Sequence, residues 1–151
     1  MTSGGEVKID RFVGEFAFLS NFHPSTIYVN GVKYATIEHA YQAAKTNDQL
    51  TSALIASAKS PSIAKKLGRT VALREDWEDV KFDLMKKLIR LKFENPFLRP
   101  MLDATGDAEL IEVNFWNDTT WGVCRGVGKN HLGRILQEVR EENREKDAAE
   151  K

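Results

Sequence analysis

The sequence predicts an α+β fold: a single compact, mainly helical domain with an N-terminal β-hairpin and a small sheet. Three observations predict it. An Asn30-Gly31 pair separates two short β-prone runs in TIYVNGVKY, and Asn-Gly is the strongest short hairpin signal because a type I′ turn needs positive φ at both positions. Apolar residues then recur at helical spacing in several separate segments. Helices and strands do not alternate in the strict βαβ order that a parallel sheet requires. The 151 residues suit one domain, and a 42% hydrophobic content supplies its core.

The elements follow in chain order. Residues 1–10 are small and polar and are expected to be a flexible N-terminus, with the domain over 11–145 and a charged tail at 146–151. Strands are predicted at Ile27–Val29 and Val32–Tyr34. Thr36 then caps a helix carrying Ile37, Ala40, Tyr41 and Ala44. In SPSIAKKLG, Ser60 is the cap, Pro61 lies in the first turn and Gly68 stands past the end. A longer helix starts near Asp76. Its residues Trp77, Val80, Leu84, Met85, Leu88, Ile89 and Leu91 keep helical period, and it stops before Asn95-Pro96. A short helix is expected over 97–104, ending near Gly106, and ELIEVNF reads as one strand. The last helix begins near Asn130 and turns Leu132, Ile135, Leu136 and Val139 inward. From Glu141 the sequence EENREKDAAEK reads as its frayed end.

Lys+Arg and Asp+Glu both number 22, for a net charge of zero. A dedicated duplex-DNA binder is usually a basic domain, so that class is disfavoured, while a local phosphate pocket stays open. Cys124 is the lone cysteine, which excludes an internal disulfide and suits a reducing compartment. The start MTSGGEVKID has no apolar signal region, and no apolar run approaches the roughly 18 residues of a membrane span. The expectation is a cytoplasmic protein with no membrane association and no obligate protein partner.

Four clusters carry possible chemistry. Ser20 and Asn21 lie among aromatics in FLSNFHP, either as a turn or as contacts to a ligand. Glu38, Gln42 and Lys45 share one helical stripe, which is either a solvated face or an acid, amide and ammonium around a sugar phosphate. Trp77 is either core or an aromatic wall. In NFWNDTTWG and the following GVGKNHLG, a strand delivers Asp118 and Trp121-Gly122 into a loop. There Gly126, Gly128 and Lys129 precede a helix start at Asn130. Backbone N–H groups of such a stretch suit an anion; alternatively it is a plain loop with Asn130 as cap. His23, His39 and His131 are too scattered for a metal site, so no metal and no cofactor are expected.

The order and spacing of these landmarks resemble the NADAR family, the YbiA-like N-glycosidases, from about residue 16 to residue 140. The matching stretches are Ser20-Asn21-Phe22, Thr36-Ile37-Glu38-His39-Ala40-Tyr41-Gln42, Lys45, and Ala64-Lys65-Lys66-Leu67-Gly68-Arg69. They continue through Trp77, Lys92-Phe93, Asn95-Pro96, Thr105-Gly106, Glu112 with Asn114, Asp118 with Trp121-Gly122, Gly128-Lys129-Asn130 and Val139-Arg140. The resemblance implies one α+β domain that binds ADP-ribose or another ribose-phosphate compound and cleaves a C1′–N bond without metal. Breaking that bond builds oxocarbenium-like charge, which a carboxylate stabilises. Glu38 matches the family's catalytic acid. Asp118 matches a second site residue, expected to orient the ribose hydroxyls or assist the leaving nitrogen. Trp77 would wall the ligand. Lys45, Lys129 and the glycine loop would hold phosphate, and Ser20 and Asn21 would touch sugar or base. The leading activity is removal of ADP-ribose from ADP-ribosylated guanine, free or in DNA or RNA. The alternatives are hydrolysis of phosphoribosylamino-pyrimidine intermediates of riboflavin synthesis and a non-catalytic ADP-ribose-binding module.

Overall fold

A computed structural model describes residues 7–150. Helices dominate and the strands are short, so the fold is α+β. Contacts divide the chain into two units, one made of residues 7–20 with 93–150, the other Asn21–Lys92.

The second unit holds the hairpin of β2 (Ile27–Val29) and β3 (Val32–Tyr34), paired antiparallel with Val29 opposite Val32. Asn30 and Gly31 both take positive φ, at 51° and 82°, as the type I′ turn requires. α1 (Ile37–Ala43) follows, and the Thr36 hydroxyl accepts the His39 N–H at 3.2 Å. Every residue of α1 is buried. His39 is fixed at both ring nitrogens: Nε2–H donates to the Ala58 carbonyl at 2.9 Å, which leaves Nδ1 to the Thr36 hydroxyl at 2.8 Å. α2 (Gln49–Ala56) was not foreseen, because Ile55 is its one buried residue and its apolar pattern is correspondingly weak. Asp48 caps it through the Thr51 N–H. α3 (Pro61–Gly68) is capped by Ser60 as expected, but Gly68 is its last helical residue and not the residue beyond. Ala43, Ile55 and Ala64 make one tight core among these helices. α4 (Trp77–Lys92) buries Trp77, Met85, Leu88, Ile89 and Lys92.

In the first unit β1 (Lys8–Ile9) pairs parallel with β4 (Glu109–Leu110). Residues 8–9 are therefore a strand where a flexible terminus was expected; residues 1–6 lie outside the described residues. A 3₁₀ helix, Gly14–Leu19, sets Phe18 edge-on to Phe93 at 6.4 Å. α5 (Leu98–Asp103) is the short helix predicted there. ELIEVNF is not one strand: β4 ends at Leu110, and β5 (Val113–Asn114) pairs parallel with β6 (Val123–Cys124) in a separate sheet. The break has a cause. The Asn130 amide donates to Leu110 O at 2.9 Å and accepts the Glu112 N–H at 3.0 Å, taking the place of a neighbouring strand. α6 (His131–Ala149) packs against β4 and does not fray at Glu141. Arg99 pairs with Asp147, and Arg144 donates to the Gly106 carbonyl at 3.0 Å. Among the described residues no helix is long and apolar enough to cross a membrane.

Candidate active site

The polar stripe of α1 is buried, not solvated. Glu38 is 7% exposed and Gln42 4%. They stand one turn apart, and Gln42 Nε2 donates to Glu38 Oε2 at 2.6 Å. The Glu38 N–H donates to the Asn21 carbonyl at 3.1 Å, which ties the FLSNFHP turn to the start of α1. The Asn21 side chain is itself buried, with Nδ2 toward Met85 Sδ at 3.7 Å and Oδ1 without a hydrogen-bond partner. Lys45 is half-buried, with its ammonium 5.5 Å from the centre of the Tyr41 ring. Trp77 is tilted against Tyr41, with ring centres 5.1 Å apart, and keeps only 4% of its surface exposed.

The charges that act on Lys45 are mostly positive. Burial pushes the Lys45 ammonium below its ordinary pKa; Glu38 draws it back up, and Arg69, Lys65 and Lys81 push it further down. Three further cations and one buried carboxylate thus act on Lys45. Lys65 also lies over the Phe22 ring at 5.8 Å, and Lys81 pairs with Glu78 at 2.6 Å. Of these four cations, the sequence alone points only to Lys45 as a ligand contact. Helical spacing held the missing signal, because Lys65 and Arg69 are one turn apart around the end of α3, and Trp77 and Lys81 one turn apart on α4. A buried carboxylate, an amide, aromatic rings and several cations therefore lie within Asn21–Lys92.

The other expected site residues belong to the first unit. Ser20 follows the 3₁₀ helix, its N–H on Ala17 O. Asp118 Oδ1 accepts the N–H groups of Thr120 at 3.1 Å and Trp121 at 2.9 Å, so this oxygen closes a turn. Asn114, 1% exposed, organises the same loop: its amide accepts from Trp116 and Asp118 N–H and donates to Asp118 O at 2.9 Å. Trp121 lies edge-on to His131 at 6.2 Å. Gly122 is required by space, since a Cβ there would stand 2.6 Å from Glu112 Oε2 and 2.8 Å from Asn114 Nδ2. Gly128 holds φ +153°, and Lys129 is exposed.

Backbone hydrogen bonds and one side chain organise the start of α6. Four backbone N–H groups leading into α6 are engaged within the loop. Those of Lys129, Asn130, His131 and Leu132 donate to the carbonyls of Thr119, Gly122, Thr120 and Trp121 at 2.8–3.3 Å. Asn130 occupies the cap position, but with left-handed backbone and no capping bond, because its side chain is committed to Leu110 and Glu112. Among the described residues, no group of three or more His, Cys, Asp or Glu is gathered as a metal site would need.

Comparison with known proteins bears on this arrangement. A sequence model of the NADAR domain matches residues 11–144. The chain is 40% identical over 132 residues to the N-glycosidase YbiA of Escherichia coli strain K12, across 85% of this chain and 82% of that one. It is also 40% identical over 132 residues to the riboflavin biosynthesis protein VVA0006 of Vibrio vulnificus, where the match spans 85% of this chain and 36% of the longer relative. The NMR structure of the Escherichia coli protein YbiA is similar with a TM-score of 0.84 and 37% identity, over 95% of this chain and 89% of that one. The chain belongs to the NADAR domain family and is an enzyme of the N-glycosidase class.

Proposed function

We propose that this enzyme hydrolyses the C1′–N bond of a ribose that carries a phosphate group on its 5′ oxygen. The observation that carries the reading is the buried Glu38 carboxylate, held by Gln42 and within Coulomb range of Lys45, on which Lys65, Arg69 and Lys81 also act. Cleavage leaves positive charge at C1′, which the carboxylate stabilises while it activates the incoming water. The lysines act as point charges on the phosphate, and the Arg69 guanidinium offers a bidentate fork. Asp118 keeps the role that the family resemblance implies, at Oδ2, since Oδ1 is engaged in its turn. The lone, buried Cys124 suits the cytoplasmic setting we propose.

Two substrate classes contain the required unit. ADP-ribosylated guanine, free or in nucleic acid, is the one the family resemblance puts first. The name of the Vibrio vulnificus relative favours the other, the phosphoribosylamino-pyrimidine intermediates of riboflavin synthesis. Incubation with both, with the released sugar and base identified by mass spectrometry, separates them. Glu38→Gln should stop turnover on whichever is cleaved. A variant that folds and runs near the wild-type rate refutes the assignment of Glu38.

A further inference from the structure

Gly68 is an odd residue for its place. It closes α3 in helical backbone, with no positive φ that would call for glycine. In such a position alanine is the better helix former. Its surroundings explain the choice. A Cβ at 68 would overlap the Gln42 amide oxygen and lie 2.7 Å from Gln42 Cδ and 3.1 Å from Gln42 Cβ. The missing methyl is therefore the space in which the Gln42 amide sits. One turn earlier on α3 the small Ala64 is fully buried in the core with Ala43 of α1, so the two helices approach closely along this line.

The amide in that space is oriented by Glu38. Nε2 donates to Glu38 Oε2 at 2.6 Å, whereas an amide oxygen turned toward the carboxylate at that distance would repel it. Oε1 is left facing Gly68, buried and without a hydrogen-bond partner. A buried orphan acceptor is uncommon and asks for a reason. Fixing the Glu38 carboxylate supplies one.

We infer that Gly68 is a positioning residue for Glu38, acting through Gln42: the absent side chain admits an amide that holds the carboxylate in its working orientation. The inference rests on Glu38 being the catalytic carboxylate, as proposed above. Gly68→Ala should dislodge the amide and release Glu38. Small misplacements of reacting groups lower rates by on the order of tenfold to a hundredfold.

The test is a double-mutant cycle on the substrate that the wild type cleaves, with Glu38→Gln measured alongside. Gly68→Ala and Gln42→Ala should each lower kcat by roughly tenfold or more, with smaller changes in KM. The acid limb of the rate should move to higher pH, because the ionised carboxylate has lost a donor. In the Gln42→Ala background, Gly68→Ala should cause no further loss and should not lower the melting temperature, since nothing is left to collide with. If Gly68→Ala fails to fold, the double variant should fold and turn over at the Gln42→Ala rate. Wild-type kcat in either single variant, multiplicative losses in the double variant, or a double variant that also fails to fold overturns the inference. An active Glu38→Gln enzyme instead removes the catalytic assignment beneath it.

Discussion

Lys92 ends α4 with 1% of its surface exposed, and burial lowers its pKa from 10.5 to about 7. Keeping the buried ammonium charged therefore costs about 5 kcal/mol. Below about pH 7 the folded and unfolded chains both carry the proton, and the folded chain bears the whole penalty. Between about 7 and 10.5 the unfolded chain binds more protons, so stability rises with pH. Lys45 is shifted in the same direction, while Tyr34 is raised by burial and acts oppositely above pH 10. The useful comparison therefore stops at pH 9. Lys92→Met keeps an unbranched chain of similar length without the charge. Urea unfolding at pH 6, 7.5 and 9 should show the variant to be the more stable at pH 6. Its advantage should shrink by roughly 3 kcal/mol by pH 9, two units into the window. A variant destabilised by the same amount at every pH would refute the reasoning, because folding would then leave the proton affinity of Lys92 unchanged.

Lys92 also lowers the pKa of His23, after burial, so Lys92→Met should raise the His23 midpoint in an NMR titration toward its ordinary value. Trp77→Ala removes a side chain that is 4% exposed and packed on Tyr41. It should cost about 3–5 kcal/mol and lower the calorimetric Tm by roughly 10 °C; an unchanged Tm with weakened ligand binding would mark Trp77 as a ligand wall. Asn130→Ala breaks both bonds across the β4–β5 gap and should cost about 2–3 kcal/mol in denaturant unfolding. Lys129→Ala removes an exposed charge: if this lysine holds phosphate, calorimetry should find weaker binding of the substrate's phosphate portion and a shallower salt dependence. Unchanged binding would remove Lys129 from the site.

The parts of the fold that were legible in sequence are those governed by local chemistry. Asn30-Gly31, Thr36 and Ser60 each determine their own turn or cap within a few residues. What was illegible depends on distant partners. Two-residue strands such as β1 and β6 have no period to detect and exist through backbone pairing with β4 and β5. Asn130 looks like a helix cap until Leu110 and Glu112, some twenty residues earlier in the chain, claim its amide. The carbonyls of residues 119–122 engage the N–H groups of residues 129–132, a pairing that no local pattern announces.

Glu38, Gln42 and Lys45 show where the same limit meets function. A stripe of polar residues at helical spacing is written identically for a solvated face and for a buried site. The neighbours decide between them. Here α3 brings Ala64 and Gly68 to α1, residues too small to hold the helices apart, and the stripe is covered. Burying the polar groups without partners would cost more than the packing returns. Gln42 therefore donates to Glu38, and Lys45 lies within Coulomb range of the carboxylate. The buried carboxylate is thus a consequence of small residues on another helix. It follows that substitutions at Ala64 or Gly68, which bear no ionisable group, should disturb the chemistry of Glu38 more than substitutions at the exposed charges of the same helix, such as Lys66.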